Sequence, residues 1–228
     1  MFTLGSFNES EDGAGVFVNV AATPDPGHLT VSGDDLYVPI LNQILGYGAC
    51  VDLTVAAQAR LRSASLNLLG IEEYIEPVAS GLVFASGYEW HDKRRSPIPL
   101  VAEEGLNLQV LDNPAAAAQR YGAVLFGDGP IAPVEGQIRT IRATAAISQV
   151  VTGWTAGGLT FPAGLKAGKY QCVGARVICA NGVFFRLTAP GFPWRPGGPI
   201  STSQTALDQP MFRRGGLGVW FEFDNRNL

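Results

Sequence analysis

The sequence predicts an all-β protein built of two β-sandwich modules with one or two short helices. Three observations lead there. The chain has 228 residues, of which 46% are hydrophobic but only 16% charged, well below the usual quarter. It carries 28 glycines and 15 prolines, so turns are frequent and long helices are few. Short apolar runs bounded by Gly, Pro, Asn or Asp recur in both halves, as packed strands require.

Residues 1–35 are rich in Gly, Pro, Asn and Asp and read as an N-terminal arm with one short strand at Val16–Val20. "LYVPILNQIL" (36–45) is apolar and contains Pro39, which suits a short helix or an edge strand. "CVDLTVAAQARLRSASLNLLG" (50–70) has a helical reading through Ala57, Leu61 and Ala64. Its alternation is longer, with Val51, Leu53, Val55, Ala57, Ala59 and Leu61 on one face and Arg60, Arg62, Ala64 and Leu66 on the other. A strand is therefore favoured. Further strands are expected at "EEYIEPV" (72–78), "GLVFASG" (81–87), "LNLQVL" (106–111) and "YGAVLFG" (121–127). "DNPAAAAQRYG" signals a short helix, with Asn113 as N-cap, Pro114 in the first turn and Gly122 as its stop.

"GDGPIAPVEG" (127–136) is the best boundary. The sequence thus divides into the arm (1–35), a first sandwich (36–130) and a second (131–228). The second half repeats the pattern of the first. "GQIRTIRATAAISQVV" (136–151) resembles the stretch around 57–66, and "GLTFPAGLKAG", "KYQCVGARVI", "GVFFRLTAP" and "GLGVWFEFD" supply more strands. Each half carries a late Pro- and aromatic-rich loop, "YEWHDKRRSPIP" (88–99) and "PGFPWRPGGP" (190–199). Asn181-Gly182 between two apolar runs marks a two-residue hairpin pairing Cys179 with Phe184 and Val177 with Arg186.

The net charge of −4 argues against a broadly basic nucleic-acid binder. Arginine supplies 13 of the 16 basic residues, a bias that suits a partner-rich surface. "MFTLGSFNES" lacks the basic and apolar regions of a secretory signal. Three cysteines without close spacing do not form a disulfide framework, so synthesis in a reducing cytoplasm is expected.

Little in the sequence looks like chemistry, and neither a cofactor nor a metal is expected. Cys172 and Cys179 lie seven positions apart, so on one strand they face opposite ways, roughly 23 Å apart. They can neither bond to each other nor share a metal. The chain has two histidines, His28 and His91. His91 beside Asp92 could be half of a catalytic device, but no nucleophile motif accompanies it. Glu72, Glu73, Glu76, Glu103 and Glu104 are the acids that could act as a glycosidase pair; a solvated strand face is the better reading. "HDKRRS" (91–96) is the only dense basic cluster.

The run from "TIRATA" through "GWTAGGLTFPAGLKAGKYQCVGARVICANGVFFRLTAPG" to "RPGG" and a closing aromatic strand resembles double jelly-roll major capsid proteins of icosahedral, membrane-containing bacterial viruses. The likeness covers residues 50–228 in strand order, module count and loop placement. It implies a homotrimer that presents six sandwiches as a tile. Its partners would be neighbouring capsomers, penton or minor capsid proteins and internal membrane lipid, without sequence-specific nucleic acid. The protein would be a structural, non-enzymatic component of the virion, assembled in the host cytoplasm. Loop position nominates Trp90, Arg94, Arg95, Trp194, Arg195, Arg213 and Arg214 as interface residues. A carbohydrate-binding sandwich using Tyr88, Trp90 or Trp194 as stacking platforms is the alternative. A sandwich hydrolase depending on Glu73 or Glu104 is a third.

Overall fold

Alternation of apolar and polar side chains becomes two facing antiparallel sheets in a computed structural model. The model describes residues 1–11, 15–25, 29–51, 57–68, 72–75, 90–112, 117–129, 141–148, 153–166, 168–172, 175, 177, 179, 182–191, 193–200 and 219–223. Twelve strands among the described residues up to 127 build the sandwich: β1 (Phe2–Glu11), β2 (Phe17–Val20), β3 (Ala22–Thr23), β4 (Val31–Ser32), β5 (Asp35–Tyr37), β6 (Gln43–Val51), β7 (Gln58–Ser63), β8 (Glu73–Ile75), β9 (Trp90–Asp92), β10 (Ile98–Pro99), β11 (Gly105–Leu111) and β12 (Ala118–Gly127). A five-residue helix, α1 (Ala64–Leu68), follows β7.

One sheet runs β10-β6-β12-β1-β3, with β9 beside β10 on the same edge of β6; the other runs β4-β5-β11-β7-β8, with β2 also on β11. The pairings are nested. β1 pairs with β12 from Phe2↔Gly127 to Glu11↔Ala118. Inside that pair, β2 and β5 join β11, then β6 joins β9 and β10, and innermost β7 joins β8. The chain is in effect one long hairpin rolled up on itself.

The inward faces form one core that includes Phe7, Leu36, Ile44, Tyr47, Leu61, Leu108 and Phe126. Each such side chain contributes about 1.5–3 kcal/mol on burial. In β7, Ala59, Leu61 and Ser63 are buried while Gln58, Arg60 and Arg62 are half-buried, the expected alternation. β6 carries a bulge: Leu125 pairs with Gly46 but Phe126 with Ile44, which leaves Leu45 unpaired. The extra residue resets strand parity. Ile44 and Tyr47 therefore both reach the core, while Leu45 joins the cluster outside the sheet.

Several expectations need correction. Residues 1–35, read as an arm with one short strand, hold β1 to β4 and the start of β5, and β1 lies inside its sheet between β12 and β3. Phe2, Leu4 and Phe7 are buried on opposite faces of β1, so its polar flanks concealed a strand covered on both sides. The expected helix at 113–122 is overturned for residues 118–122, which begin β12; Asn113–Ala116 lie outside the described residues. A single alanine-rich turn is a costly nucleus, whereas this strand pairs with β1 along its whole length and with β6 from Arg120 onward. The strand read through Leu66 stops at Ser63, where the Ser63 hydroxyl accepts the Leu66 N–H and helix α1 begins. "LYVPILNQIL" is neither alternative as a whole, because it joins β5 to β6 around Pro39. The 88–99 loop contributes β9 and β10. "GLVFASG" lies outside the described residues.

In the second half, β13 (Gly168–Cys172) pairs with β16 (Val219–Phe223), and β14 (Phe184–Arg186) pairs with β15 (Gly197–Pro199). The described pairing of Phe184 and Arg186 is thus with Pro199 and Gly197; Asn181 lies outside the described residues. Residues 141–148 and 153–166 form no strand beyond a bridge between Thr144 and Thr160.

Candidate functional site

The two outer faces of the sandwich have opposite chemistry, set by the residues that alternate outward. On the β1–β6–β12 sheet the outward face carries an apolar cluster of Phe2, Leu4, Leu45, Ala123 and Leu125. The second half of the chain covers them. Trp154, Phe184 and Leu187 pack on this cluster, as does Trp90. The Trp154 indole N–H donates to Ser6 Oγ at 2.9 Å, and the Leu4 amide donates to the Arg195 carbonyl at 2.9 Å. Gly197 fits so closely that a Cβ there would stand 2.1 Å from the Phe185 carbonyl oxygen.

An ionic clasp closes this layer. Asp25, 1% exposed, accepts from Arg186 Nη1 at 2.5 Å and, on its other oxygen, from Arg195 Nη1. The Arg186 guanidinium also lies 3.8 Å above the Trp154 ring. Burial lowers the Arg186 pKa to about 10; Asp25 offsets part of this and neighbouring Arg195 adds to it. One carboxylate thus serves two cations, and the tighter packed of them is held by the ring as well.

The nominated interface residues are distributed unevenly. Trp90 is half-buried, with its ring against Gly46, where a Cβ would come within 2.8 Å. Trp194 is half-buried against the main core. Arg195 is bound to Asp25. Arg94 is engaged by Asp92 through Nε at 2.8 Å, Nη2 at 2.5 Å and its own amide at 3.0 Å. Burial would raise the Asp92 pKa, but these bonds from Arg94 outweigh it and hold the carboxyl below its usual range. Arg95 is exposed. Arg213 and Arg214 lie outside the described residues, as do Tyr88 and His28.

The candidate acids have structural partners. Glu73 accepts from the Tyr47 hydroxyl and lies 3.5 Å from Lys93 Nζ; His91 stacks on the Tyr47 ring at 4.9 Å. Glu72 is held by both Arg60 and Tyr74. The Tyr74 hydrogen bond chiefly keeps its carboxyl below the ordinary value. Glu104 accepts from the Ser65 amide and hydroxyl, both at 2.9 Å, and from the Val101 amide. Glu103 adopts φ 64° in the adjoining turn. Glu76 lies outside the described residues. Cys50 is buried and Cys179 half-buried, both as thiols. Among the described residues no three His, Cys, Asp or Glu side chains gather as a metal site.

The opposite sheet presents a polar face that sequence reading missed. Arg60 Nε donates to Gln109 Oε1 at 2.9 Å, Gln109 Nε2 to Asn19 Oδ1 at 2.9 Å, and Asn19 Nδ2 to Asp34 Oδ2 at 3.3 Å. Beside this chain of bonds lies an open depression of about 370 Å³, lined by Asn19, Asp35, Arg62, Ser63, Ala64, Asn67, Gly105, Asn107 and Gln109. The signal was present in the outward positions of "QARLRS" and "LNLQVL". Their convergence depends on register between strands some 45 residues apart in sequence. Comparison of the chain with protein-family models, curated proteins and solved structures finds no match.

Proposed function

We propose that the chain is a structural protein of an icosahedral virus shell, a major capsid protein that assembles as a homotrimer. The observation that carries this reading is the nested strand order. From β1 through the β2/β5 edge, β6, β7, β8, the β9/β10 edge and β11 to β12, the chain crosses between the sheets at every step but β7 to β8, the succession of an eight-stranded jelly roll. Residues 2–127 complete one such roll, and the second half adds a layer on its apolar face. The engaged states of Glu73 and Glu104 weigh against the hydrolase. The half-buried positions of Trp90 and Trp194 weigh against stacking platforms there.

In this reading the trimer meets neighbouring capsomers and penton or minor capsid proteins edge to edge, above an internal membrane. The test is the assembly state of the purified chain. Light scattering is expected to give a trimer, and negative-stain images to give sheets or shells at high concentration. A monodisperse monomer at every concentration would refute the proposal.

A further inference from the structure

The polar depression has an incomplete hydrogen-bond row. Two cross-strand pairs of β7 and β11 stand side by side in register, Arg60 opposite Gln109 and Arg62 opposite Asn107. In the first, Arg60 Nε donates directly to the amide oxygen of Gln109. In the second, the amide side chain is one methylene shorter and the equivalent bond is not made. Arg62 Nε and Asn107 Oδ1 are both covered by neighbouring atoms, and neither has a partner. Asn107 Nδ2 is committed to Asp35 Oδ1 at 2.9 Å, which leaves Oδ1 as the unpaired atom of this amide. An unmatched buried donor and an unmatched buried acceptor each cost stability, and here both belong to residues that line one depression.

We infer that this depression binds a saccharide. The missing element must accept from Arg62 and donate to Asn107, and among common ligand groups a hydroxyl does both. Neighbouring hydroxyls of the same ring then meet Asp35 as acceptor and the amide of Asn67, while the Asn19 and Gln109 amides stay bonded to each other. Arg62 and Asp35 nearly cancel in charge, which favours a neutral polyol over a simple anion. The volume is at the lower end of the ~300–1,000 Å³ typical of ligand pockets and suits one or two sugar rings. Arg62 Nε and Asn107 Oδ1 are both covered, so both side chains must shift to admit the hydroxyl, and binding is weak in the absence of a longer glycan. This inference does not depend on the shell reading, since a trimer without sugar binding and a sugar-binding monomer are separately observable.

The experiment is saturation-transfer NMR on the full chain with methyl glycosides of glucose, galactose and mannose, N-acetylglucosamine and glucuronic acid. Acetate and sulfate serve as competitors. Transfer to at least one sugar is expected, neutral or acidic, with no competition from acetate. Arg62→Ala and Asn67→Ala should weaken it tenfold or more. Asn107→Gln is the decisive variant. The added methylene lets residue 107 take the bond that Gln109 makes, so sugar binding is lost while the melting temperature holds or rises. No transfer to any sugar, or equal affinity in the Asn107→Gln variant, would overturn the inference. So would displacement by acetate and sulfate.

Discussion

Arg120 is fully buried on β12, and its guanidinium is shared between Asp112, through Nε at 2.9 Å and Nη2 at 2.6 Å, and Glu11 at 2.8 Å. Burial by itself would lower its pKa, but the bonds and charges of Asp112 and Glu11 raise it above the ordinary value. Asp112 is equally buried. Removing its charge leaves the buried Arg120 with Glu11 alone as counter-charge, so Asp112→Asn should cost up to about 3–5 kcal/mol, measured by urea unfolding. Glu9 behaves oppositely. Burial raises its pKa; the Ala21 amide offsets part of this, and Glu11 and Asp34 raise it further. The folded state therefore binds this proton more readily than the unfolded state. Its stabilising contribution is present at acidic pH and is lost as pH rises through the raised value. Glu9→Gln should accordingly raise the melting temperature at pH 7, with the gain vanishing below pH ~4.5. An unchanged difference across pH 4–8 would contradict this account.

At the scale of elements, β14 and β15 are held on the sandwich by a few strong points: the Asp25 clasp, the Trp154 stack and the close fit at Gly197. Asp25→Asn leaves two guanidiniums facing a neutral amide and should loosen this layer while the sandwich persists. Limited proteolysis is expected to cut faster within residues 187–196 of that variant, with the β1–β12 amides retaining their hydrogen-exchange protection. Gly197→Ala places a methyl 2.1 Å from a backbone oxygen, which no side-chain rotation relieves. It should break the β14–β15 pairing at a cost of about 1–3 kcal/mol. β12 shows how pairing overrides local preference. Its first residues follow an alanine-rich helix signal, yet Ala118, Arg120 and Gly122 face into partners on β1, β6 and β11. No local pattern in "AAAAQRYG" reveals that Leu108 stands 2.2 Å from where a Cβ on Gly122 would lie.

At the scale of the whole molecule, the roll of residues 2–127 closes because its outermost pair joins the two ends of that segment. Contacts between β1 and β12 span more than a hundred residues, and such non-local pairing slows folding. Refolding from denaturant is thus expected on the millisecond-to-second scale, with β1 truncation (deletion of residues 2–7) abolishing it. A truncated chain that refolds cooperatively would contradict the central place given to β1.

The sequence by itself determined the all-β class, the short strands at 106–111 and 121–127 and the alternation of 57–63, because these follow from local spacing of apolar residues. It also nominated the arginines, but not their partners. Only the tertiary structure decided that the described residues of 1–35 supply sandwich strands rather than an arm, that 118–122 is strand rather than helix, and that Arg195 and Arg94 bind carboxylates of their own chain. The polar depression belongs to the same class. It arises where Arg62 meets an asparagine one methylene too short, and that meeting is set by register between distant strands, a quantity that no local stretch of sequence encodes.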